Sequence, residues 1–335
     1  MPKTLLADAP VRADLAGGTL DLWPLGLFHE ASVTVAVAIS LRVQARVSTA
    51  AANTARVRAL DLGAGRRVKL GATHAAKDKL ELLERLVREL TPHGGVDLAT
   101  RSPVRAGSGL GTSSALGVTV AAALTRFNGA SPRVDRIVPL VRDIEAQILG
   151  IPTGTQDHEA AWRGGIVIVE HRPGGGAVRR VAGPALRALG SRLLLVDSVQ
   201  ARSSGPSNWD MYRRRIEADA GAVKALEQVS RAGRKAAEAL LAADWRALGK
   251  AMTADLEARR GWSSLVMTPS FERIFSAAHG AGALGAKVCG AGGGGFGVVL
   301  VAPDRRARVV EAITAAGVVS EAGPTARGLR VQRTS

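Results

Sequence analysis

Three glycines at alternate positions, Gly107, Gly109 and Gly111, lead directly into an apolar stretch from Ser113 to Phe127. This pattern sets a bare-backbone loop against the start of a helix. Glycine lets such a loop take left-handed conformations and approach a ligand closely. The first amides of the helix have no intrahelical acceptor, and the positive end of the helix dipole adds to them. Loop and helix start together make an anion site. Thr112, Ser113 and Ser114 supply hydroxyls suited to phosphate oxygens or magnesium, so Gly107, Ser108, Gly109, Leu110, Gly111, Thr112, Ser113 and Ser114 form the candidate nucleotide-binding segment. The plainer alternative is an ordinary loop before a serine-capped helix. Two familiar phosphate motifs are excluded. A P-loop needs lysine after its last glycine, where Thr112 and Ser113 stand, and the dinucleotide fingerprint spaces its glycines G-x-G-x-x-G.

With 335 residues the chain exceeds what one core usually encloses, so two packed domains are expected, with a boundary near residue 185 (1–185 and 186–335). Strands are expected at Leu5–Leu15, Ser32–Ile39, Arg42–Thr49, Val96–Arg101, Ile166–Glu170, Arg192–Asp197, Val298–Val301 and Leu329–Gln332. Helices are expected at Ala76–Leu90, Ser113–Phe127, Pro132–Leu149, Asn208–Leu241, Phe271–Ala281 and Asp304–Ala316. Paired strands with grouped helices point to an α+β fold rather than a regular parallel sheet.

The formal charge is +16, a balance that attracts anions such as nucleotides and sugar phosphates. Nucleic acid is disfavoured as a partner, because the arginines are scattered and no basic block is interleaved with aromatics. A single cysteine, Cys289, excludes an internal disulfide framework and a cysteine-rich zinc site. Met1 to Ala9 lacks the apolar run of a signal peptide, and no segment has the roughly 20 apolar residues of a membrane helix. The expectation is a cytoplasmic protein that does not enter membranes.

Pro103 through Ala115, containing Gly109-Leu110-Gly111-Thr112-Ser113-Ser114, resembles the second signature motif of the GHMP kinases, a proline followed by G-L-G-S-S-A. This superfamily includes galactokinase, homoserine kinase, mevalonate kinase and phosphomevalonate kinase. Ala9-Pro10-Val11-Arg12 stands where these enzymes carry A-P-G-K or A-P-x-R. Arg12 through Leu22 is similar to the A-G-G-G-T-D-L segment of the heptose-phosphate kinases, with Thr19-Leu20 replacing the usual Gly-Thr and Trp23 where proline is common. Gly154 through Gly165 resembles the G-x-Q-D-Q-x-A-A-x-x-G-G form of the same branch, and Lys287 through Phe296 resembles the third motif, K-x-x-G-A-G-G-G-G-F.

The resemblance implies a two-domain fold, a ribosomal protein S5 domain 2-like half followed by a ferredoxin-like half, with ATP and Mg2+ in the cleft. It implies that Asp157 handles the acceptor proton, Arg12 supplies fixed positive charge, and Ser113 with Glu145 holds the metal. Asp143 and Glu159 are the local alternatives to Glu145. Asp21, Gly17, Gly18, Thr19, Arg202, Gly292 and Gly293 fall on the substrate side, although Asp21 also suits a helix cap and Arg12 a solvated strand position. His158 is expected to pack or support. The implied reaction phosphorylates a small sugar or sugar phosphate, at the anomeric hydroxyl of a heptose 7-phosphate or a related sugar such as fucose. A mevalonate kinase-like enzyme and a catalytically silent nucleotide- or sugar-binding regulator are the alternatives.

Overall fold

A computed structural model describes residues 3–71, 77–105, 107–199, 208–262 and 265–334. Its first strand, β1 (Thr4–Ala16), pairs along its length with β2 (Val33–Ala52). The sequence pattern divides β2 into two strands, but the backbone runs through as one. Val11 faces Ile39 while Pro10 faces Arg42, leaving Ser40 and Leu41 as a bulge. Proline cannot donate to a ladder and is accommodated at bulges. The exposed Ser40 at the break in alternation therefore marks an irregularity rather than a turn.

The chain continues through β3 (Ala55–Ala59), β4 (Ala64–Arg67), α1 (Glu81–Leu90), β5 (Gly94–Arg101), α2 (Thr112–Phe127), α3 (Val134–Leu149), α4 (Gln156–Arg163), β6 (Ile166–Glu170) and β7 (Ala177–Val181). These strands make one sheet, ordered β1-β2-β5-β3-β4, with β6 pairing the first half of β2 and β7 pairing β6. Next come α5 (Pro184–Gly190), β8 (Leu193–Asp197), α6 (Asn208–Ile216), α7 (Ala220–Leu241), α8 (Trp245–Arg260), α9 (Pro269–Gly280), β9 (Gly285–Val288), β10 (Phe296–Leu300), α10 (Arg306–Thr314), β11 (Val318–Ser320) and β12 (Arg330–Arg333). The second sheet runs β11-β8-β10-β9, all antiparallel. The final strand, β12, returns to the first sheet beside β1. The architecture is the α+β arrangement expected.

One helical expectation changes, and helices α4, α5 and α8 are additional to those expected. The charged run from Asn208 to Leu241 is two helices, because Ala218 turns left-handed (φ 57°) and Asp219 caps α7 by accepting from the Ala222 amide at 2.7 Å. Helix α8 gives little apolar signal in the sequence, because its buried face includes Gly249, Ala251, Asp255 and Arg259.

One core joins the sheets, packing Val11, Leu15 and Val35 with Leu195, Val298, Leu240 and Met252. At its margin lies a buried quartet of charges. Lys287 on β9 donates to Asp255 on α8 and lies 3.2 Å from Asp14 on β1, while Arg259 donates to Asp255 at 2.7 Å. Lys287 and Asp255 have no exposed surface. Burial alone raises the Asp255 pKa, but Arg259 and Lys287 hold the carboxyl below its ordinary range. A buried charge stripped of its partner costs several kcal/mol. Lys287→Met is therefore expected to lower unfolding free energy by about 3–5 kcal/mol in urea titration. A loss well under about 1 kcal/mol would mean that the cluster is not coupled to folding.

Candidate active site

The glycine loop has the backbone that its composition demands. Gly107, Gly109 and Gly111 all have positive φ, at 74°, 83° and 67°. Helix α2 makes its first ladder bond from the Ala115 amide to Gly111 O, so the amides of Thr112, Ser113 and Ser114 lie outside the ladder. The C-terminal glycine run packs on this loop. A Cβ on Gly109 would lie 2.6 Å from Cys289 O, and one on Gly295 would lie 2.4 Å from Ser108 O. The Phe296 amide also donates to Ser108 O at 2.9 Å. Glycine is needed on both sides because two backbones touch there.

Arg12 ties this loop to the third motif. Its amide donates to Leu110 O at 2.9 Å, its Nη1 donates to Gly109 O, and its Nε donates to Asp157 Oδ1 at 2.7 Å. Burial alone would lower the Arg12 pKa, but Asp157 and Asp14 raise it above the ordinary arginine value. Asp157, in the first turn of α4, stands against the start of α2: a Cβ on Gly111 would meet its carboxyl at 2.8 Å. The start of α2 and the acidic group therefore face one another.

Asp21 reaches the same place from the N-terminal motif. Its Oδ2 accepts from the Gln156 amide at 3.1 Å, in the first turn of α4, and Gly154 leaves room for the carboxyl. The capping reading is thus realised, and the cap brings Asp21 beside Asp157. Burial, with Asp157 nearby, raises the Asp21 pKa above the ordinary carboxylate value.

On the other flank, Glu145 of α3 accepts from Ser114 Oγ at 2.8 Å and lies 2.9 Å from His158 Nε2, with Ser113 also bonded to it. Burial pushes the Glu145 pKa up, but His158 and the two serines hold it below its ordinary value. The alternatives are engaged elsewhere, Asp143 with Arg142 and Glu159 with Arg163. Hydroxyl and carboxylate oxygens gathered at the helix start are the hard donors that magnesium takes.

Gly17 and Gly18 sit in the buried quartet, where the Gly17 amide donates to Asp255 at 2.8 Å and Gly18 O accepts from Arg259 at 2.6 Å. Gly292 and Gly293 lie against the Val266 backbone, while Gly290 and Gly295 touch the phosphate loop. Arg202 lies outside the described residues. Burial pushes the Cys289 thiol up to about 11, so it packs as a small neutral group. Sequence reasoning missed Asp14, Asp255 and Arg259. The available signal was Asp14 itself, a charge inside the otherwise apolar run from Ala13 to Ala16.

Two family models match the chain, the GHMP kinases N terminal domain over residues 74–165 and the GHMP kinases C terminal over residues 236–319. The chain is 28% identical over 236 residues to a D-glycero-alpha-D-manno-heptose 7-phosphate kinase of Campylobacter jejuni, covering 69% of each. It is 30% identical over 263 residues to a galactokinase of Mycobacterium tuberculosis, covering 68% of this chain and 70% of that one. Among solved structures, a D-glycero-D-manno-heptose 1-phosphate kinase from Bacteriodes thetaiotaomicron superposes with TM-score 0.77 at 21% identity, covering 99% of both chains. Lactococcus lactis galactokinase complexed with galactose superposes with TM-score 0.77 at 15% identity, covering 98% of this chain and 95% of that one. The family models and these relatives define a kinase. The chain belongs to the GHMP kinase family. Among the described residues, no helix is long and apolar enough to cross a membrane.

Gly111→Ala is expected to drive a methyl into Asp157 and to lower kcat on the order of a hundredfold. Gly63→Ala, also at positive φ but in open space, is the control and should retain activity. Equal rates for the two variants would contradict the close approach. The depressed Glu145 pKa stabilises the fold above the ordinary 4.5, a contribution lost as pH falls through the lowered value. The stability gap between the unaltered chain and Glu145→Gln, read by urea titration, should be fully present near pH 7 and narrow below 4.5. A gap that does not change with pH would exclude this linkage.

Proposed function

We propose that the protein transfers the γ-phosphoryl group of ATP to a hydroxyl of a small sugar or sugar phosphate, with the anomeric hydroxyl of a heptose 7-phosphate as the favoured acceptor. The observation carrying this reading is the contact of Asp157 with the start of α2 and with Arg12. The reading is supported by the nearness of a carboxylate, a guanidinium and the amides at the start of α2. Residues 1–185, with β12 returning to their sheet, would form the ATP-binding half, and the remainder of 186–335 its partner.

In this reading Gly107 to Ser114 bind the phosphates through backbone amides. The acceptor hydroxyl lies between Asp21 and Asp157. Asp157 takes the hydroxyl proton as the oxygen attacks the γ-phosphorus in line and the bond to the β-phosphate oxygen breaks. Arg12 stabilises the alkoxide character of the attacking oxygen and the negative charge of the moving phosphoryl group. Ser113 and Glu145 would hold Mg2+, which when bound neutralises charge on the outer phosphates. His158 orients Glu145 from behind. The heptose preference is supported by the Arg12–Leu22 and Gly154–Gly165 patterns and by the heptose 7-phosphate kinase relative. The altered Thr19-Leu20 and Trp23 positions bear on the acceptor wall.

A coupled ADP-release assay over D-glycero-D-manno-heptose 7-phosphate, fucose, galactose, mevalonate and homoserine tests the reading. Heptose 7-phosphate is expected to give the highest kcat/KM, and Asp157→Asn to lower kcat by about 10²–10⁴-fold. Undiminished turnover in Asp157→Asn removes the mechanism. Preference for mevalonate or homoserine removes the sugar assignment.

A further inference from the structure

Thr19 occupies a backbone position built for glycine. Its φ is 77°, in the left-handed region that β-branched residues avoid. The strain has a local origin in two consecutive turns. Leu20 N donates to Gly17 O at 3.3 Å, which makes Thr19 the third residue of the first turn, where positive φ ordinarily calls for glycine. Leu22 N donates to Thr19 O at 3.1 Å, which makes Leu20 and Asp21 the central pair of the second. Thr19 is thus the joint between the glycine turn and the turn presenting Asp21.

A threonine in such a joint requires compensation, and its hydroxyl supplies contacts that glycine lacks. Thr19 Oγ1 donates to Asn208 Oδ1 at 3.0 Å, at the start of α6, and accepts from Arg259 Nη1 at 3.3 Å. Arg259 cannot drift, because its Nε is bound by Asp255 and its Nη2 donates to Gly18 O at 2.6 Å. Asp255 in turn accepts from Lys287 and from the Gly17 amide. The residue is buried at 5% exposure, so it does not offer its hydroxyl to solvent. This strained residue, held on both sides, stands two places before Asp21.

We propose that Thr19 is a positioning residue for the acceptor: its hydroxyl, gripped by Arg259 and Asn208, locks the turn that aims Asp21 at the acceptor. This rests on the reading of Asp21 as the acceptor-binding carboxylate. The C-terminal half thereby sets the geometry of the N-terminal substrate motif through Arg259 and Asn208.

Thr19→Gly separates positioning from stability, since glycine suits the backbone and loses only the grip. With D-glycero-D-manno-heptose 7-phosphate as the probe, its KM for the sugar should rise about threefold to tenfold, the worth of one or two hydrogen bonds. Its KM for ATP should stay unchanged and its Tm should not fall. Thr19→Ser, which keeps the hydroxyl, should restore the sugar KM. A sugar KM unchanged in Thr19→Gly, while Asp21→Asn raises it, overturns the positioning role and leaves the Asp21 reading standing. A sugar KM unmoved by both variants, or no turnover of this sugar by the unaltered chain, overturns the reading and the inference with it. A rise in the ATP KM equal to that of the sugar also overturns it, because the grip would then act on the whole cleft.

Discussion

The Arg12 side chain is the constraint on which the site depends. One buried guanidinium donates to the glycine loop and to Asp157, while its own amide is bonded to Leu110 O. Segments distant in sequence are brought to one point by a group that stays charged in almost any environment. Water competes poorly there, so the contact keeps electrostatic strength that a surface pair would lose.

The buried quartet works differently. Lys287, Asp255, Arg259 and Asp14 pair two bases with two acids across β9, α8 and β1. An apolar replacement of similar volume can match such a cluster in stability. What the charges add is direction: fixed donors and acceptors hold the backbones of Gly17 and Gly18. The overall charge of +16 has little to do with either cluster, since the arginines that matter are buried and paired.

Much of the site was legible because its chemistry is local in sequence. Alternating glycines before a helix announce an anion-binding loop, and the structure gives all three of those glycines positive φ. Arg12, Asp21 and Asp157 stand in short motifs, Glu145 lies outside them, and all four border the start of α2 or α4. The strands were legible where β-branched residues alternate. Helix α8 was not, because its inner face buries Asp255 and Arg259, and periodicity counts only apolar residues. The single run of β2 was hidden for a related reason: Ser40 and Leu41 break the alternation without ending the strand.

The sequence by itself determined the α+β class, the left-handed glycine loop and the family, since each rests on contacts among neighbours or on short ordered motifs. Tertiary structure alone decided which charges meet. Whether Asp14 faces solvent or Lys287, whether Glu145 or Asp143 turns to the serines, and why Thr19 tolerates a glycine's backbone depend on groups far apart in the chain. Burial made those choices, because a charge removed from water must find its partner wherever the fold supplies one.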